Sequence, residues 1–166
     1  REWPALARAA LFNLQSPGRA MQIGERHYDL GNDLFAAMLD QRMTYSCAYW
    51  KGADTLDAAQ ESKLDLLCRK LQLEKGQRLL DVGCGWGGLL RWAAERYGVS
   101  GVGLTVSKEQ VEGARHRLPR DLPIELRLED YRSHRETYDR IVSVGMFEHV
   151  GPKNHRTFFQ TCRDLL

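Results

Sequence analysis

The sequence has few of the features that mark membrane, disulfide-rich or nucleic-acid-binding proteins. No apolar run approaches the roughly 18–20 residues of a membrane span, and no signal peptide is visible. The four cysteines are scattered and contain no C-x-x-C pair, so they indicate neither a zinc site nor a disulfide framework. We expect reduced thiols, as in a cytoplasmic protein, and no metal ligands. A formal charge of only +2 gives no indication of a nucleic-acid partner.

The length and composition are those of one domain with a buried core, since 43% of the 166 residues are hydrophobic. Both ends begin or stop within predicted helices, so we expect the sequence to be part of a longer protein. Residues 1–15 carry one apolar helical face, which either packs on the protein or rests on a bilayer surface. The tripeptide Ser16–Gly18 ends this helix.

Two further helices are predicted before residue 75. One covers "NDLFAAMLD", with Asn32 or Asp33 as its N-cap. The other covers "TLDAAQESKLDLLCRKLQL" and begins at an N-cap Thr55. Its apolar side is made of residues at helical spacing: Leu56, Ala59, Lys63, Leu64, Leu67, Cys68 and Leu71.

After residue 76 the pattern alternates between strands and helices. Strands are predicted in "QRLLDVG", "SGVGLT", "IELRLED" and "YDRIVSVGMF". The helices between them end at Gly98, begin at Ser107, and begin near Pro152. Such alternation implies crossover connections and a parallel sheet. We therefore divide the chain into a helical region and active-site cover, residues 1–75, and the first part of a parallel-sheet domain, residues 76–166.

The loop "LLDVGCGWGG" joins the first predicted strand to the next helix, where glycines let the backbone approach a ligand. Its spacing fits both the dinucleotide fingerprint and the G-x-G-x-G form usual in S-adenosylmethionine enzymes. Asp81 would repel a pyrophosphate but could accept from a methionine ammonium group, and the second strand ends in Leu104 and Thr105 without an acid. These features favour S-adenosylmethionine. A nicotinamide cofactor, and a turn needed only for packing, remain alternatives.

Taken together, six motifs resemble the bacterial cyclopropane-fatty-acyl-phospholipid synthases and the related mycolic acid cyclopropane synthases. They are, in chain order, "RHYDLGND", "TYSCAYW", "LLDVGCGWGG", "GLTVSKEQ", "LEDY" and "DRIVSVGMFEHVGPKN". The resemblance covers the chain from about His27 onward. It implies an α/β fold of the Rossmann-like S-adenosylmethionine-dependent methyltransferase type, a parallel-sheet core with N-terminal helices, and further strands beyond Leu166.

The resemblance also implies the residues that bind the cofactor. It assigns the stretch Leu79 to Gly87 to the methionine and ribose, and Thr105 and Gln110 to the ribose and adenine. The full implied set is Tyr45, Ser46, Leu79, Asp81, Gly83, Cys84, Gly85, Gly87, Thr105, Gln110 and Glu129. Glu129 and Asp130 follow the third strand, a usual place for acids that read adenine, although a solvated loop is the alternative.

The reaction that the resemblance implies accounts for the unusual composition of "MTYSCAYW". An alkene in a lipid acyl chain attacks the sulfonium methyl group, a carbocation forms, and loss of a proton closes a cyclopropane ring. Each aromatic face stabilises such a cation by ~0.5–2 kcal/mol. In the family the base is a bound bicarbonate ion, and its implied holders here are Cys47 and Glu148. A core-packing aromatic turn is the alternative for this segment.

The implied partner is an unsaturated phospholipid at the inner face of the membrane, where the protein would be cytoplasmic and peripherally attached. A homodimer is compatible with the resemblance, and a nucleic acid is not expected. His27 and Tyr28 either lie near the acyl chain or form a buried pair. Other functions stay open: a methyltransferase that makes a methyl-branched lipid or methylates a small amine, and a catalytically silent cofactor-binding module.

Overall fold

The computed structural model describes residues 32–166. The predicted helix of residues 1–15, its break at residues 16–18, and the pair His27 and Tyr28 lie outside the described residues. In the described part, helices precede a parallel sheet that is covered by further helices.

Two helices come first, α1 (Asn32–Met38) and α2 (Leu56–Lys70). The remaining elements alternate, as the pattern predicted. They are β1 (Arg78–Val82), α3 (Gly88–Tyr97), β2 (Ser100–Thr105), α4 (Lys108–Arg115), β3 (Ile124–Leu128), β4 (Arg140–Val142), two short 3₁₀ turns (Phe147–His149 and Pro152–Asn154), and α5 (His155–Asp164).

The four described strands form one parallel sheet in the order β3-β2-β1-β4. β1 pairs with β2 along its whole length and with β4 over Leu79–Asp81. Because all four strands run in the same direction, their carboxyl ends meet at one edge of the sheet. In open α/β sheets ligands bind at this edge.

Alternate residues of the strands pack into two separate cores. Leu79 on β1 belongs to the core beneath α2 and α3, and its neighbour Leu80 belongs to the core beneath α5. On β2 the positions facing α3 are Gly101 and Gly103, where a methyl group would collide with Leu90. These glycines therefore allow α3 to approach the sheet closely.

Most of the predicted helix termini are confirmed. Thr55 Oγ1 accepts from Ala58 N at 3.2 Å, and Ser107 Oγ accepts from Gln110 N at 3.3 Å, so both residues cap their helices. Gly98 ends α3 in the left-handed conformation. The predicted N-caps Asn32 and Asp33 are wrong, because both residues lie within α1.

The fourth predicted strand is much shorter than expected. Only Arg140–Val142 pairs with β1, whereas the prediction covered ten residues. The ladder ends where Ser143 Oγ donates to Val82 O at 2.7 Å and Gly145 turns the chain at φ +71°. Leu56 is a second correction: it was placed on the apolar side of α2 but is 37% exposed, since it lies at the helix start.

The four cysteines carry no disulfide. Within residues 32–166 no cluster of three or more His, Cys, Asp or Glu side chains could hold a metal ion. No helix among the described residues has the length and apolarity to cross a membrane.

Leu90 on α3 tests how much the sheet depends on this helix. Its side chain is completely buried and contacts the glycine face of β2. We expect Leu90→Ala to lower the free energy of unfolding by about 2–5 kcal/mol, because it leaves a cavity. The control Leu56→Ala should change it by less than about 1 kcal/mol. Urea unfolding of both variants measures the difference, and equal effects would contradict the packing described here.

Candidate active site

A cavity of about 580 Å³ opens at the carboxyl edge of the sheet. Six parts of the chain surround it: the glycine loop after β1, the loops after β2, β3 and β4, one side of α2, and the residues Met43–Trp50, which we call the aromatic segment. The apolar lining of the cavity includes Met43, Leu64, Leu67, Leu89, Val144 and Met146. A volume of this size suits a small-molecule ligand.

Eleven of the thirteen site residues predicted from the sequence line this one cavity. They are Tyr45, Ser46, Cys47, Asp81, Gly83, Cys84, Gly85, Thr105, Gln110, Glu129 and Glu148. The other two do not line it. Leu79 is buried in the core beneath α2 and α3, and Gly87 packs against Leu126 and Leu118 at the start of α3.

The aromatic segment is held to the rest of the protein by polar side chains on both sides. Buried Asp40 accepts from Thr44 N at 2.6 Å and from Thr44 Oγ1 at 3.2 Å. Gln60, on α2, donates from Nε2 to the carbonyl oxygens of Thr44 at 3.1 Å and Ser46 at 2.9 Å. The segment therefore has an irregular but defined backbone, held by these side chains and by two backbone bonds, from Met43 N to Asp40 O and from Tyr49 N to Ala59 O.

Only the first part of the aromatic segment lines the cavity. Residues Met43–Cys47 line it, while Tyr49 and Trp50 are exposed and do not. Five of the eight residues therefore line the cavity, and their role as a cover stays a prediction. The ring of Tyr45 packs edge-on against Phe35 of α1, with 5.3 Å between the centroids.

The glycine loop has the geometry that close approach to a ligand requires. Gly83, Gly85 and Gly87 all have positive φ, which other residues rarely adopt. A Cβ on Gly83 would lie 2.7 Å from Met146 Cβ, whereas a Cβ on Gly85 would meet nothing within 4 Å. Gly83 therefore lets the glycine loop touch the loop after β4, and Gly85 leaves room for a ligand.

Asp81 is a buried carboxylate in the cavity wall. It is 3% exposed, and no donor among the described residues lies within hydrogen-bonding distance of its oxygens. Burial raises the pKa of Asp81 to about 7. A buried carboxylate without donors is unfavourable, so a cationic ligand group here would be bound strongly.

The loop after β2 presents a polar pair to the same cavity. Thr105 Oγ1 donates to Gln110 Oε1 at 2.6 Å, and Ser107 N donates to Thr105 Oγ1 at 3.1 Å. Both side chains are buried. This bond orients the Gln110 amide so that its NH₂ group can donate to a hydroxyl or a ring nitrogen of a ligand.

Glu129 is connected to a buried polar chain that the sequence analysis missed. Its Oε1 lies 3.2 Å from His134 Nδ1, and His134 Nε2 lies 2.8 Å from the Tyr138 hydroxyl. His134 and Tyr138 are both buried. These contacts hold the Glu129 carboxylate at the rim, and no local pattern predicts them because Tyr138 is placed by the sheet.

Asp130 and Arg132, beside Glu129, pair with each other rather than standing as separate ligand groups. Arg132 Nε donates to Asp130 Oδ1 at 2.9 Å, and both residues line the cavity. Burial pushes the pKa of Asp130 upward, but the Arg132 hydrogen bonds and charge outweigh it, so the pKa is lowered. Asp130 is therefore an ionised structural partner of Arg132.

Cys47 and Glu148 come from opposite ends of the described chain and line the same cavity. The loop after β4 approaches the aromatic segment closely, since a Cβ on Gly145 would lie 3.6 Å from Ser46 Cβ. Glu148 sits in the 3₁₀ turn Phe147–His149 that follows this contact. His149 also lines the cavity.

These groups fit the parts of S-adenosylmethionine. The unpaired carboxylate of Asp81 suits an ammonium group. Gly85 leaves space for a ligand to lie against the backbone. Gln110 offers a donor and Glu129 an acceptor to a nucleoside. Together the parallel sheet and this site define the class of protein: a Rossmann-like fold of the S-adenosylmethionine-dependent methyltransferase type.

Comparison with known proteins narrows the class to a family. A family model described as mycolic acid cyclopropane synthetase matches residues 15–166. The chain therefore belongs to the mycolic acid cyclopropane synthetase family, as its motifs predicted.

Individual relatives agree with this family. The chain is 58% identical over 154 residues to the cyclopropane-fatty-acyl-phospholipid synthase of Escherichia coli strain K12. The structure of mycolic acid cyclopropane synthase CmaA1, complexed with SAH and CTAB, matches 88% of the chain at 41% identity and a TM-score of 0.83. A coclaurine N-methyltransferase structure, bound to N-methylheliamine and SAH, matches 80% of the chain at 32% identity and a TM-score of 0.71.

The chain spans only part of the length of these proteins. The matched region is 93% of the chain but 40% of the E. coli enzyme. It corresponds to 53% of the CmaA1 chain and 41% of the N-methyltransferase chain.

Gly83 gives a test of the contact between the glycine loop and the loop after β4. Gly83 and Gly76 have nearly the same backbone angle, φ +87° and +89°, but only Gly83 has a neighbour in the space that a Cβ would fill. Gly76→Ala should lower the free energy of unfolding by ~1–2 kcal/mol through the backbone angle alone. Gly83→Ala should lower it further because Met146 must move. Equal losses in denaturant unfolding would show that the contact contributes nothing.

Asp81 gives a pH-dependent stability prediction. The pKa of Asp81 rises from 3.8 in the unfolded protein to about 7 in the folded protein. Below about pH 4 the carboxyl is protonated in both, and between pH 4 and 7 only the unfolded protein loses the proton readily, so the free energy of unfolding falls as pH rises. Without ligand, Asp81→Asn should therefore stabilise the protein at pH 8 by up to about 4 kcal/mol. This gain should vanish towards pH 4.

The matched control is Asp121→Asn, at an exposed position. Thermal unfolding of both variants between pH 4 and 8 measures the effect. A gain for Asp81→Asn that is independent of pH would mean that the carboxylate is not held in a desolvated site.

Proposed function

We propose that the full-length protein transfers a methylene group from S-adenosylmethionine to the cis double bond of an unsaturated phospholipid acyl chain, forming a cyclopropane fatty acid. One observation carries this proposal: the residues suited to the cofactor and the pair Cys47 and Glu148 line a single cavity. Family membership supports it, since the E. coli relative bears the name of this activity.

The cofactor, when bound, supplies an electrophilic methyl group attached to a sulfonium. The chain's contribution is to bind and orient it. Asp81 would accept from the methionine ammonium group, the backbone at Gly83 and Gly85 would approach the methionine, and Gln110 and Glu129 would contact the nucleoside. Binding energy at these distant groups would hold the methyl carbon in place for transfer.

The apolar lining would hold the acyl chain and exclude water. Met43, Leu64, Leu67, Val144 and Met146 provide such walls. The Tyr45 ring at the cavity wall would stabilise positive charge on the reacting carbons by ~0.5–2 kcal/mol. A dry site matters because water would trap a carbon cation.

Removal of the final proton requires a base of suitable strength. A bound bicarbonate ion would supply it, and Cys47 and Glu148 are the residues of this chain that would help to hold it. A thiol can donate weakly to an anion. Glu148 would need to share a proton with the ion, because two neighbouring negative charges repel each other.

The proposal extends to partners and location. A phospholipid substrate implies that the protein acts at a membrane surface, and we propose a cytoplasmic protein that attaches peripherally to the inner face, with a homodimer as a compatible assembly. Residues 1–75 would then form the helical region and active-site cover, and residues 76–166 the first part of the methyltransferase domain.

A second candidate is a methyltransferase that methylates a small amine, with a methyl-branched lipid as a related product. The similarity to a coclaurine N-methyltransferase favours it. An amine carries its own lone pair and needs no base to close a ring. Cys47 and Glu148 would then contribute little, and their substitution distinguishes the two candidates.

The test expresses the full-length protein in a host that lacks its own cyclopropane synthase. Lipids are extracted and examined by proton NMR for the high-field resonance of a cyclopropane methylene. We expect this product, and we expect Cys47→Ala and Glu148→Gln to reduce its formation rate ~10²–10⁴-fold, the usual contribution of a positioned base. Binding of S-adenosylhomocysteine should change little in either variant.

Cys162 on α5 is partly buried and lies outside the cavity lining, so Cys162→Ala is the control for loss of a thiol and should keep full activity. A methyl-branched product would support the proposed cofactor and lipid substrate but contradict the proposed ring closure. Absence of any lipid product, with methylation of an added amine, would favour the second candidate.

A further inference from the structure

Lys63 is a buried lysine that reaches the cavity from α2. It is 9% exposed, lies among the apolar residues of this helix, and lines the cavity together with Ser46 and Cys47. Its Nζ donates to Ser46 Oγ at 2.7 Å. Lysines are rarely buried unless they are paired with a charge, so this position calls for a functional explanation.

The direction of the Lys63–Ser46 hydrogen bond determines what Ser46 can do. An ammonium group has three donors and no acceptor, so Ser46 Oγ must be the acceptor in this bond. The Ser46 hydroxyl hydrogen is then available to donate to another group. Among residues 32–166 no acceptor lies within hydrogen-bonding distance of it, and Lys63 has no second acceptor. The pair therefore offers several donors to a ligand.

The charge at this point is positive and only partly compensated. Burial lowers the pKa of Lys63 to about 8, while the nearby Asp40 and Cys47 raise it. At neutral pH roughly nine-tenths of the side chains are still charged. A partly buried ammonium whose only hydrogen-bonded partner is a neutral hydroxyl strongly favours an anionic ligand.

The cavity thus contains two buried side chains of opposite charge, Lys63 and Asp81, and neither has a charged hydrogen-bonding partner among the described residues. One presents donors and the other presents acceptors. The cavity therefore offers a partner for each charged group of a zwitterionic amino acid, which carries an ammonium group and a carboxylate.

We propose that Lys63, together with the Ser46 hydroxyl that it orients, binds the α-carboxylate of the methionine moiety of S-adenosylmethionine. This inference rests on the cofactor assigned above. It gives α2 a direct role in binding, and it explains why Ser46 lies at the cavity wall with its oxygen held by a lysine. Lys63 would be a binding residue and would take no part in proton transfer.

A bicarbonate ion beside Cys47 offers the same chemistry, because it is also a planar carboxylate-type anion. The methionine carboxylate is favoured for two reasons. Lys63 is hydrogen-bonded to Ser46 rather than to Cys47. Asp81, in the same cavity, supplies the acceptor that the ammonium group of the same molecule requires.

The test compares two ligands that differ only in the carboxylate. Isothermal titration calorimetry on the full-length protein measures the dissociation constants of S-adenosylhomocysteine and of its decarboxylated analogue, S-adenosyl-3-thiopropylamine. We expect Lys63→Met to weaken S-adenosylhomocysteine ~10–100-fold, the usual effect of losing a charge-assisted hydrogen bond. The affinity for the decarboxylated analogue should change less than ~2-fold.

Two further variants keep the test decisive. Lys70→Met removes an exposed lysine from the last turn of the same helix and should affect neither ligand. Ser46→Ala keeps Lys63 in place, and it should weaken S-adenosylhomocysteine several-fold without affecting the analogue. It serves as the test if Lys63→Met fails to fold by circular dichroism.

Several outcomes would overturn the inference. Equal weakening of both ligands would mean that Lys63 acts only through the fold of the aromatic segment. Unchanged binding of S-adenosylhomocysteine, with a raised bicarbonate requirement for turnover, would assign the anion site to bicarbonate. If the unsubstituted protein binds neither ligand, the proposed cofactor itself is wrong.

Discussion

The pairing of β1 with β2 on one side and β4 on the other is the constraint on which the rest of the site depends. A parallel ladder requires each strand to return to the same end of the sheet, so the chain after β1, β2, β3 and β4 turns at one edge. The glycine loop, Thr105, Glu129 and Glu148 are far apart in sequence, yet they meet there. The sheet converts four separate loops into one cavity.

The helix α2 both packs in the core and holds the aromatic segment. Leu64 and Cys68 pack in the core beside α3, which fixes the helix against the sheet. On the same helix, Gln60 and Lys63 donate hydrogen bonds to the aromatic segment. The hydrophobic packing of α2 therefore sets the position of Ser46 and Cys47, so a core substitution under α2 would also alter the site.

The cavity carries buried charge that the folded protein does not itself neutralise. Asp81 and Lys63 both have pKa values shifted towards the neutral form by burial. A protein selected for stability alone would replace them by apolar residues of similar volume. Buried charges of this kind are typical of binding sites, where they lower the stability of the ligand-free protein and raise its affinity for the ligand.

Local features of the site could be predicted from the sequence because their causes lie within a few residues. The caps Thr55 and Ser107 accept hydrogen bonds from groups three positions further along the chain. The glycine loop has positive φ at Gly83 and Gly85, a conformation that glycine adopts without steric cost. Position-by-position resemblance then identified eleven of the cavity-lining residues.

The sequence by itself therefore determined the elements, the parallel sheet, the glycine loop and the family of this protein. The tertiary structure decided what depends on contacts between distant segments. It placed Leu79 in the core and Gly87 against Leu126, away from the cavity. It ended β4 at Val142, joined His134 to Glu129, and brought Lys63 to Ser46. A lysine on an apolar helix face was visible in the sequence, but its partner was not, because the packing of α2 on the sheet sets where its ammonium group lies.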